Sequence, residues 1–268
     1  MQLLISVAGP ADARAALRGG GDVIDAKDPR HGALGPVPLH RLASIRAAVA
    51  GARPLSAALG DAASEATLAG AVAAAAALGV AFVKVGLAGV VSEARARRLA
   101  VAAQRAATEA GTRLVLVAYA DWRRAESLAP ARVVAVAANA GAAGVLLDTA
   151  YKGAPLFTIE SPVSVAAWIV AVHAAGLLAA LAGGLSGPEF PLARSLGVDV
   201  VGVRGAACVG GRTGRVSCIR VATLRALAGA APAPRTLAGR GILAERDVEL
   251  PEIVGCDDEV LHAARERA

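Results

Sequence analysis

Lysine is nearly absent from this chain: Lys27, Lys84 and Lys152 stand against 25 arginines in 268 residues. Arginine serves wherever a positive charge suffices, so the three lysines are candidates for chemistry that needs an amine able to lose its proton. Cysteine is equally scarce. Cys208, Cys218 and Cys256 show no CxxC spacing and form no Cys/His cluster, which excludes a disulfide framework and a structural zinc site and points to a reducing cytoplasm. His31, His40, His173 and His262 are dispersed, so no metal site is expected. Aromatics make up 3% of the chain, leaving small aliphatics to build the core. Long apolar runs are also missing: 68–83 stops at Lys84, and 165–182 contains His173 and Gly176, so no membrane span is expected. The opening MQLLISVAGPAD lacks the basic start and long apolar stretch of a signal peptide and reads as a first strand. No G-x-S-x-G elbow, P-loop or H-E-x-x-H motif occurs. The net charge of +6 comes from arginines interleaved with acids rather than gathered with aromatics. A nucleic-acid partner is therefore not expected, whereas small anionic substrates suit that balance.

What is present is a 56% apolar chain in which short Val/Leu/Ile runs alternate with longer Ala/Arg segments. This alternation predicts strands near 2–7, 22–26, 54–59, 80–85, 113–118, 144–148, 177–182 and 199–203. Helices are expected near 11–19, 39–50, 65–78, 92–110, 123–140, 161–175, 188–196 and 217–229. Glycines such as Gly141 and Gly176 follow several of these helices, where a C-cap favours a residue tolerant of positive φ. Eight such units predict an α/β fold, a (β/α)8 TIM barrel with its active site at the C-terminal ends of the strands. An open doubly wound sheet is the rival, but Val7-Ala8-Gly9-Pro10 does not supply its G-x-G-x-x-G turn. Residues 1–229 are expected to form the barrel. Residues 230–268, opening on AAPAPRT, are expected to be a short C-terminal extension with a helix near 257–267.

Each lysine falls at or just past the end of an expected strand, the second, fourth and sixth, which brings all three to one rim. Asp25 precedes Lys27 by two residues, so both side chains enter one pocket if the segment stays extended. Asp148 ends the sixth strand, four residues before Lys152. Asp61 and Asp121 follow the third and fifth strands and read as helix caps. Gly183 and Gly184 follow the seventh strand, and Arg204 and Gly205 follow the eighth. That is where barrels of this kind hold a substrate phosphate, with backbone N–H groups closing on the anion and arginine adding a forked cation. The stretch 210–215, GGRTGR, offers a second basic loop, and Cys208 reads as a small buried side chain.

Taken together, Leu3-Leu4-Ile5-Ser6-Val7, Gly21 to Pro29 (GDVIDAKDP), Gly32-Ala33-Leu34-Gly35, Gly60-Asp61, Val83-Lys84-Val85-Gly86-Leu87, Tyr119-Ala120-Asp121, Leu147-Asp148-Thr149-Ala150, Ala180-Leu181-Ala182-Gly183 and Gly202-Val203-Arg204-Gly205-Ala206-Ala207-Cys208 resemble a known family. It is (5-formylfuran-3-yl)methyl phosphate synthase, also called 4-(hydroxymethyl)-2-furancarboxaldehyde phosphate synthase, of methanofuran and methylofuran biosynthesis in one-carbon metabolism. The sequence departs from the family at Asp28 and Ala33, where Asn and Ser are common. The resemblance implies a cytoplasmic lyase similar to class I aldolases, needing no cofactor beyond a covalent lysine imine. It implies condensation of two glyceraldehyde 3-phosphate molecules with loss of phosphate and water. It places the Schiff base on Lys27 and proton acceptance on Lys84, with Asp25, Asp148 and Lys152 assisting. Two alternatives stand beside it: another Schiff-base aldolase of triose phosphates, or a non-catalytic phosphometabolite-binding barrel. Self-association is left open.

Overall fold

The aliphatic runs become eight parallel strands that close on themselves in a computed structural model, which describes residues 1–61 and 63–229. They are β1 (Gln2–Val7), β2 (Val23–Ala26), β3 (Leu55–Asp61), β4 (Phe82–Gly86), β5 (Arg113–Tyr119), β6 (Gly144–Asp148), β7 (Leu178–Leu181) and β8 (Val200–Val203). Each pairs with the next, and β8 returns to β1 with Leu4 opposite Gly202. Around them run α1 (Pro10–Arg18), α2 (Leu39–Val49), α3 (Glu65–Ala77), α4 (Glu93–Glu109), α5 (Pro130–Ala140), α6 (Leu156–Ile159), α7 (Pro162–Ala174), α8 (Phe190–Ser195) and α9 (Cys218–Ala228). The expected (β/α)8 architecture is the observed one.

The core lies between strands and helices. Strand residues facing outward, such as Leu3, Ile5, Leu114, Leu116, Leu181 and Val201, are wholly buried beneath the helices. Helix α4 shows the matching periodicity: Ala96, Leu99, Ala100, Ala103 and Ala107 are buried, while Arg97, Arg98 and Arg105 point outward. Small residues on the inner helical face let helices sit close to the strands, so few aromatics are required. Serine caps start several helices, as where Ser64 accepts from Thr67 N–H at 3.1 Å before α3. Gly141 ends α5 at φ 74°, a conformation glycine adopts without strain.

One helix differs from expectation. The helix expected from 123 begins at Pro130, in the first turn where proline needs no N–H partner, and 121–126 form turns instead. The short α6, a single 3-10 turn at Gly205–Ala207 and a hairpin of β9 (Cys208–Val209) with β10 (Arg215–Val216) were not anticipated. The expected extension 230–268, with its helix near 257–267, lies outside the described residues. No described helix is long and apolar enough to cross a membrane.

Candidate active site

Register builds the first half of the site. Parallel pairing sets Asp25 opposite Ser6 on one side and Ser56 on the other. Both hydroxyls donate to the carboxylate, Ser6 Oγ at 2.9 Å to Oδ2 and Ser56 Oγ at 2.7 Å to Oδ1. Lys84, inside β4, brings Nζ to 2.7 Å from Asp25 Oδ2. The carboxylate is fully shielded from solvent yet has three donors, which is what a buried charge requires.

Lys27 lies just past β2, where alternation turns it to the same side as Asp25. It is 7% exposed, and its ammonium makes no hydrogen bond or ion pair among the described residues. Its pKa is lowered to about 8. Burial is the main cause; the positive charges of Lys84 and Lys152 add to it, and Asp148 and Asp25 oppose it.

The second half of the site comes from β6, whose last residue, Asp148, is almost wholly buried. Its Oδ1 accepts from Thr149 N–H at 2.7 Å and from Lys152 Nζ at 2.7 Å. Lys152 also donates to the Thr149 carbonyl at 2.5 Å. Burial pushes the Asp148 carboxyl up, but the charges of Lys152 and Lys27 and these hydrogen bonds outweigh it and hold it below the usual range.

Asp121 fixes the loop that carries Lys152, accepting from Ala150 N–H at 2.7 Å and Tyr151 N–H at 2.9 Å. Asp61 accepts from Tyr119 Oη at 2.7 Å and Ala88 N–H at 2.9 Å. Neither aspartate caps a helix, which corrects the sequence expectation: Ser64 caps α3, and α5 has no side-chain cap. Burial and the adjacent Asp61 push the Tyr119 hydroxyl well above its ordinary pKa, so it stays a proton donor to Asp61.

At the mouth, Arg204 is placed differently from a freely projecting phosphate ligand. Its Nε donates to the Arg212 carbonyl (3.1 Å) and Nη2 to Gly214 (2.8 Å), while Nη1 reaches the Ser6 carbonyl (2.9 Å) and Asp12 Oδ2 (2.7 Å). It clamps the 205–216 segment to β1 and α1. Arg212 in turn donates to the carbonyls of Pro29 and Gly32, joining that segment to the loop after β2. The backbone N–H groups of Gly183, Gly184 and Gly205 have no acceptor among the described residues, and Gly183 and Gly205 line the cavity. Cys208 is buried beneath the same loop, and burial raises its thiol pKa.

Four of the expected residues, Lys27, Lys84, Asp148 and Lys152, thus line one end of a cavity of about 920 Å³, and the fifth, Asp25, lies fully buried behind it, paired with Lys84. Chemically, the arrangement offers one unpaired, readily deprotonated amine beside two lysine–carboxylate pairs able to pass protons. Three ammonium groups against two carboxylates leave a local excess of positive charge suited to a phosphate. Ser6 and Ser56 went unassigned at sequence level, although a hydroxyl interrupting an aliphatic strand was a visible signal. Among the described residues no group of three or more His, Cys, Asp or Glu side chains is disposed to hold a metal ion.

A model of the 4-HFC-P synthase family matches residues 3–225. The chain is 40% identical over 231 residues to (5-formylfuran-3-yl)methyl phosphate synthase of Methanopyrus kandleri, covering 85% of this chain and 97% of that relative. To the protein of the same description from Methanocaldococcus jannaschii it is 36% identical over 233 residues, covering 85% and 99%. Among solved structures, it is similar to phosphoribosyl anthranilate isomerase of Thermus thermophilus, with TM-score 0.56, 13% identity, and 85% and 98% of the two chains covered. A 3-hexulose-6-phosphate synthase gives TM-score 0.54 at 18% identity, covering 85% and 99%. These structural likenesses carry the barrel fold alone.

Proposed function

The chain belongs to the 4-HFC-P synthase family, and from that membership we propose that it condenses two molecules of glyceraldehyde 3-phosphate into (5-formylfuran-3-yl)methyl phosphate through an imine on Lys27. The balance closes with one phosphate and two waters leaving and no change of oxidation state, so the reaction calls for no redox cofactor. The observation that carries this reading is the contrast among the lysines. Lys84 and Lys152 each hold a carboxylate, whereas Lys27 is buried and has no partner among the described residues. With a pKa of about 8, roughly a tenth of Lys27 is neutral at pH 7, against under about a thousandth for an ordinary lysine.

The neutral amine attacks the carbonyl carbon of one triose phosphate, and loss of water gives an imine whose positive charge acidifies the neighbouring C–H. Lys84, acting with Asp25, and Asp148, acting with Lys152, take up and return the protons for enamine formation, dehydration and loss of phosphate. Gly183, Gly184 and Gly205 offer backbone N–H groups to a substrate phosphate, and Arg204 holds the segment that carries Gly205 in place and adds its positive charge. Residues 1–229 form the catalytic barrel in this reading, in the cytoplasm, and 230–268 are an extension with no assigned part in the chemistry.

Borohydride reduction in the presence of glyceraldehyde 3-phosphate tests the assignment. The expected result is a reduced adduct mapped by mass to Lys27, together with furan absorbance from the same substrate alone when borohydride is omitted. An adduct only on Lys84 or Lys152, or no adduct anywhere, overturns it.

A further inference from the structure

The 205–216 segment carries one side chain across the mouth of the barrel. Its hairpin, β9 with β10, turns through Gly210 and Gly211 at φ 79° and 76°, where glycine is unstrained. Gly214 closes the turn by donating to the Gly211 carbonyl at 3.0 Å, and a Cβ there would lie 1.9 Å from the Val209 carbonyl oxygen. Arg204 fixes the tip by donating to the carbonyls of both Arg212 and Gly214. What this framework delivers is Arg212, whose guanidinium donates to the carbonyls of Pro29 and Gly32 in the loop that follows Lys27. That loop is itself braced: Asp28 N–H donates to the Gly35 carbonyl at 2.8 Å, and Asp28 Oδ1 accepts from Arg30 N–H at 2.9 Å.

The two arginines of this segment differ in what they leave free. Arg204 is 6% exposed, its Nη1 meets Asp12, and each of its three guanidinium nitrogens already donates within the protein. Arg212 is half-buried, lines the cavity with Lys27, Lys152 and Gly205, and makes no ion pair among the described residues. Both of its bonds go to neutral carbonyls, so its charge stays uncompensated and further N–H donors remain. Asp148 and Asp28 act on that charge from a distance, but Asp148 is held by Lys152 and Thr149 N–H, and Asp28 by Arg30 N–H and His31. The influence of Asp148 places the guanidinium at the lysine end of the cavity. Gly205 lies beside Arg212: a Cβ on it would come 3.9 Å from the Arg212 Cα and Cβ, and its own N–H has no acceptor among the described residues. A guanidinium fork with an unbalanced charge, next to a free backbone N–H, is recognition chemistry for a phosphate.

We infer that Arg212 is the arginine that reads the substrate phosphate, giving the site its preference for phosphorylated over plain aldehydes, and that Arg204 is a positioning residue that holds it there. The inference rests on the reading of the cavity as a site for a phosphorylated aldehyde. Burial lowers the pKa of the Arg212 guanidinium, a cost that a bound phosphate dianion offsets.

Glycerol 3-phosphate carries the phosphate but no carbonyl, so it binds without forming an imine and probes Arg212 independently of Lys27. Calorimetric titration of the full chain at fixed ionic strength is expected to show binding by the wild type and about tenfold or more weaker binding by Arg212→Gln. Borohydride trapping adds the specificity readout: the ratio of trapping rates with glyceraldehyde 3-phosphate over glyceraldehyde should fall about tenfold in the same variant. A residue that merely latches the two loops together would slow both aldehydes alike and leave that ratio unmoved. Should Arg212→Gln unfold, Arg212→Lys keeps the charge and removes the fork, and several-fold weaker binding of glycerol 3-phosphate is expected. No binding by the wild type, unchanged affinity in the folded variant, or an unmoved ratio overturns the inference. Absence of any trapping in the wild type overturns the imine on Lys27 instead, and the titration alone then decides Arg212.

Discussion

Lys84 Nζ lies 2.7 Å from Asp25 Oδ2 in a pair from which solvent is almost entirely excluded. Breaking such a pair from one side leaves a buried charge without its counter-ion, a cost of about 3–5 kcal/mol. Lys84→Met should therefore destabilise the fold by roughly that amount. Adding Asp25→Asn should recover most of the loss, because the amide keeps hydrogen-bonding partners in Ser6 and Ser56 without a charge. Thermal melts of the two single variants and the double variant check this; a double variant no more stable than Lys84→Met refutes the coupling.

Lys27 makes a different demand on pH. Its folded pKa of about 8 lies below its ordinary value of 10.5, so below pH 8 both folded and unfolded chains carry the proton and the full cost of burying the charge is present. Between about pH 8 and 10 the folded chain sheds its proton first, and stability rises. Lys27→Met should stabilise the protein at pH 7 by on the order of 3 kcal/mol and lose that advantage as pH climbs through this window. The rate of imine trapping should rise with a midpoint near 8. Parallel melting curves for the two proteins from pH 7 to 10 contradict the assignment.

The barrel was legible because its punctuation is local. Aliphatic runs and the glycines that end helices mark each boundary without knowledge of the rest of the chain, as Gly141 does before β6. Asp25, Lys27, Lys84, Asp148 and Lys152 were legible for a related reason: the ends of parallel strands meet at one rim, so position in the strand stands in for position in space. Ser6 and Ser56 were not, because only register makes two serines neighbours of one aspartate. Arg204 was read as a free fork because its carboxylate partner, Asp12, is 192 residues away in the chain, and three of its acceptors are backbone carbonyls that no residue type announces.

Removing Arg204 should loosen the loop before it touches the chemistry. Arg204→Ala strips partners from Asp12 and from the carbonyls of Ser6, Arg212 and Gly214, so a loss of about 3 kcal/mol of stability is expected. With the Gly205 N–H no longer held in place, KM should rise about tenfold and kcat change less. Arg204→Lys should recover little, since an ammonium does not reproduce the planar fork that bridges Asp12, Ser6 and Gly214. Wild-type stability in Arg204→Ala would show that the clamp contributes nothing.

Asp148 offers the sharpest division between catalysis and architecture. Its carboxylate accepts from Lys152 and Thr149 and also faces Lys27, whose proton its negative charge helps retain. Asp148→Asn keeps size and most hydrogen bonds while deleting that charge. If the group passes protons during turnover, kcat should fall about a hundredfold or more. The same substitution removes the strongest influence holding Lys27 protonated, so the midpoint for imine trapping should move below 8 even as turnover collapses. An aspartate that acts on Lys27 through its charge alone predicts the moved midpoint without the collapse of turnover. The stability consequence has its own sign: the folded carboxyl titrates below its ordinary value, so its contribution is present above about pH 4 and fades as pH falls through the folded value. The Asn variant should accordingly lose less stability than the wild type on acidification. Trapping kinetics, steady-state turnover and acid melts on one purified variant decide the matter: near-normal turnover removes Asp148 from the proton transfers, and an unmoved midpoint removes its influence on Lys27.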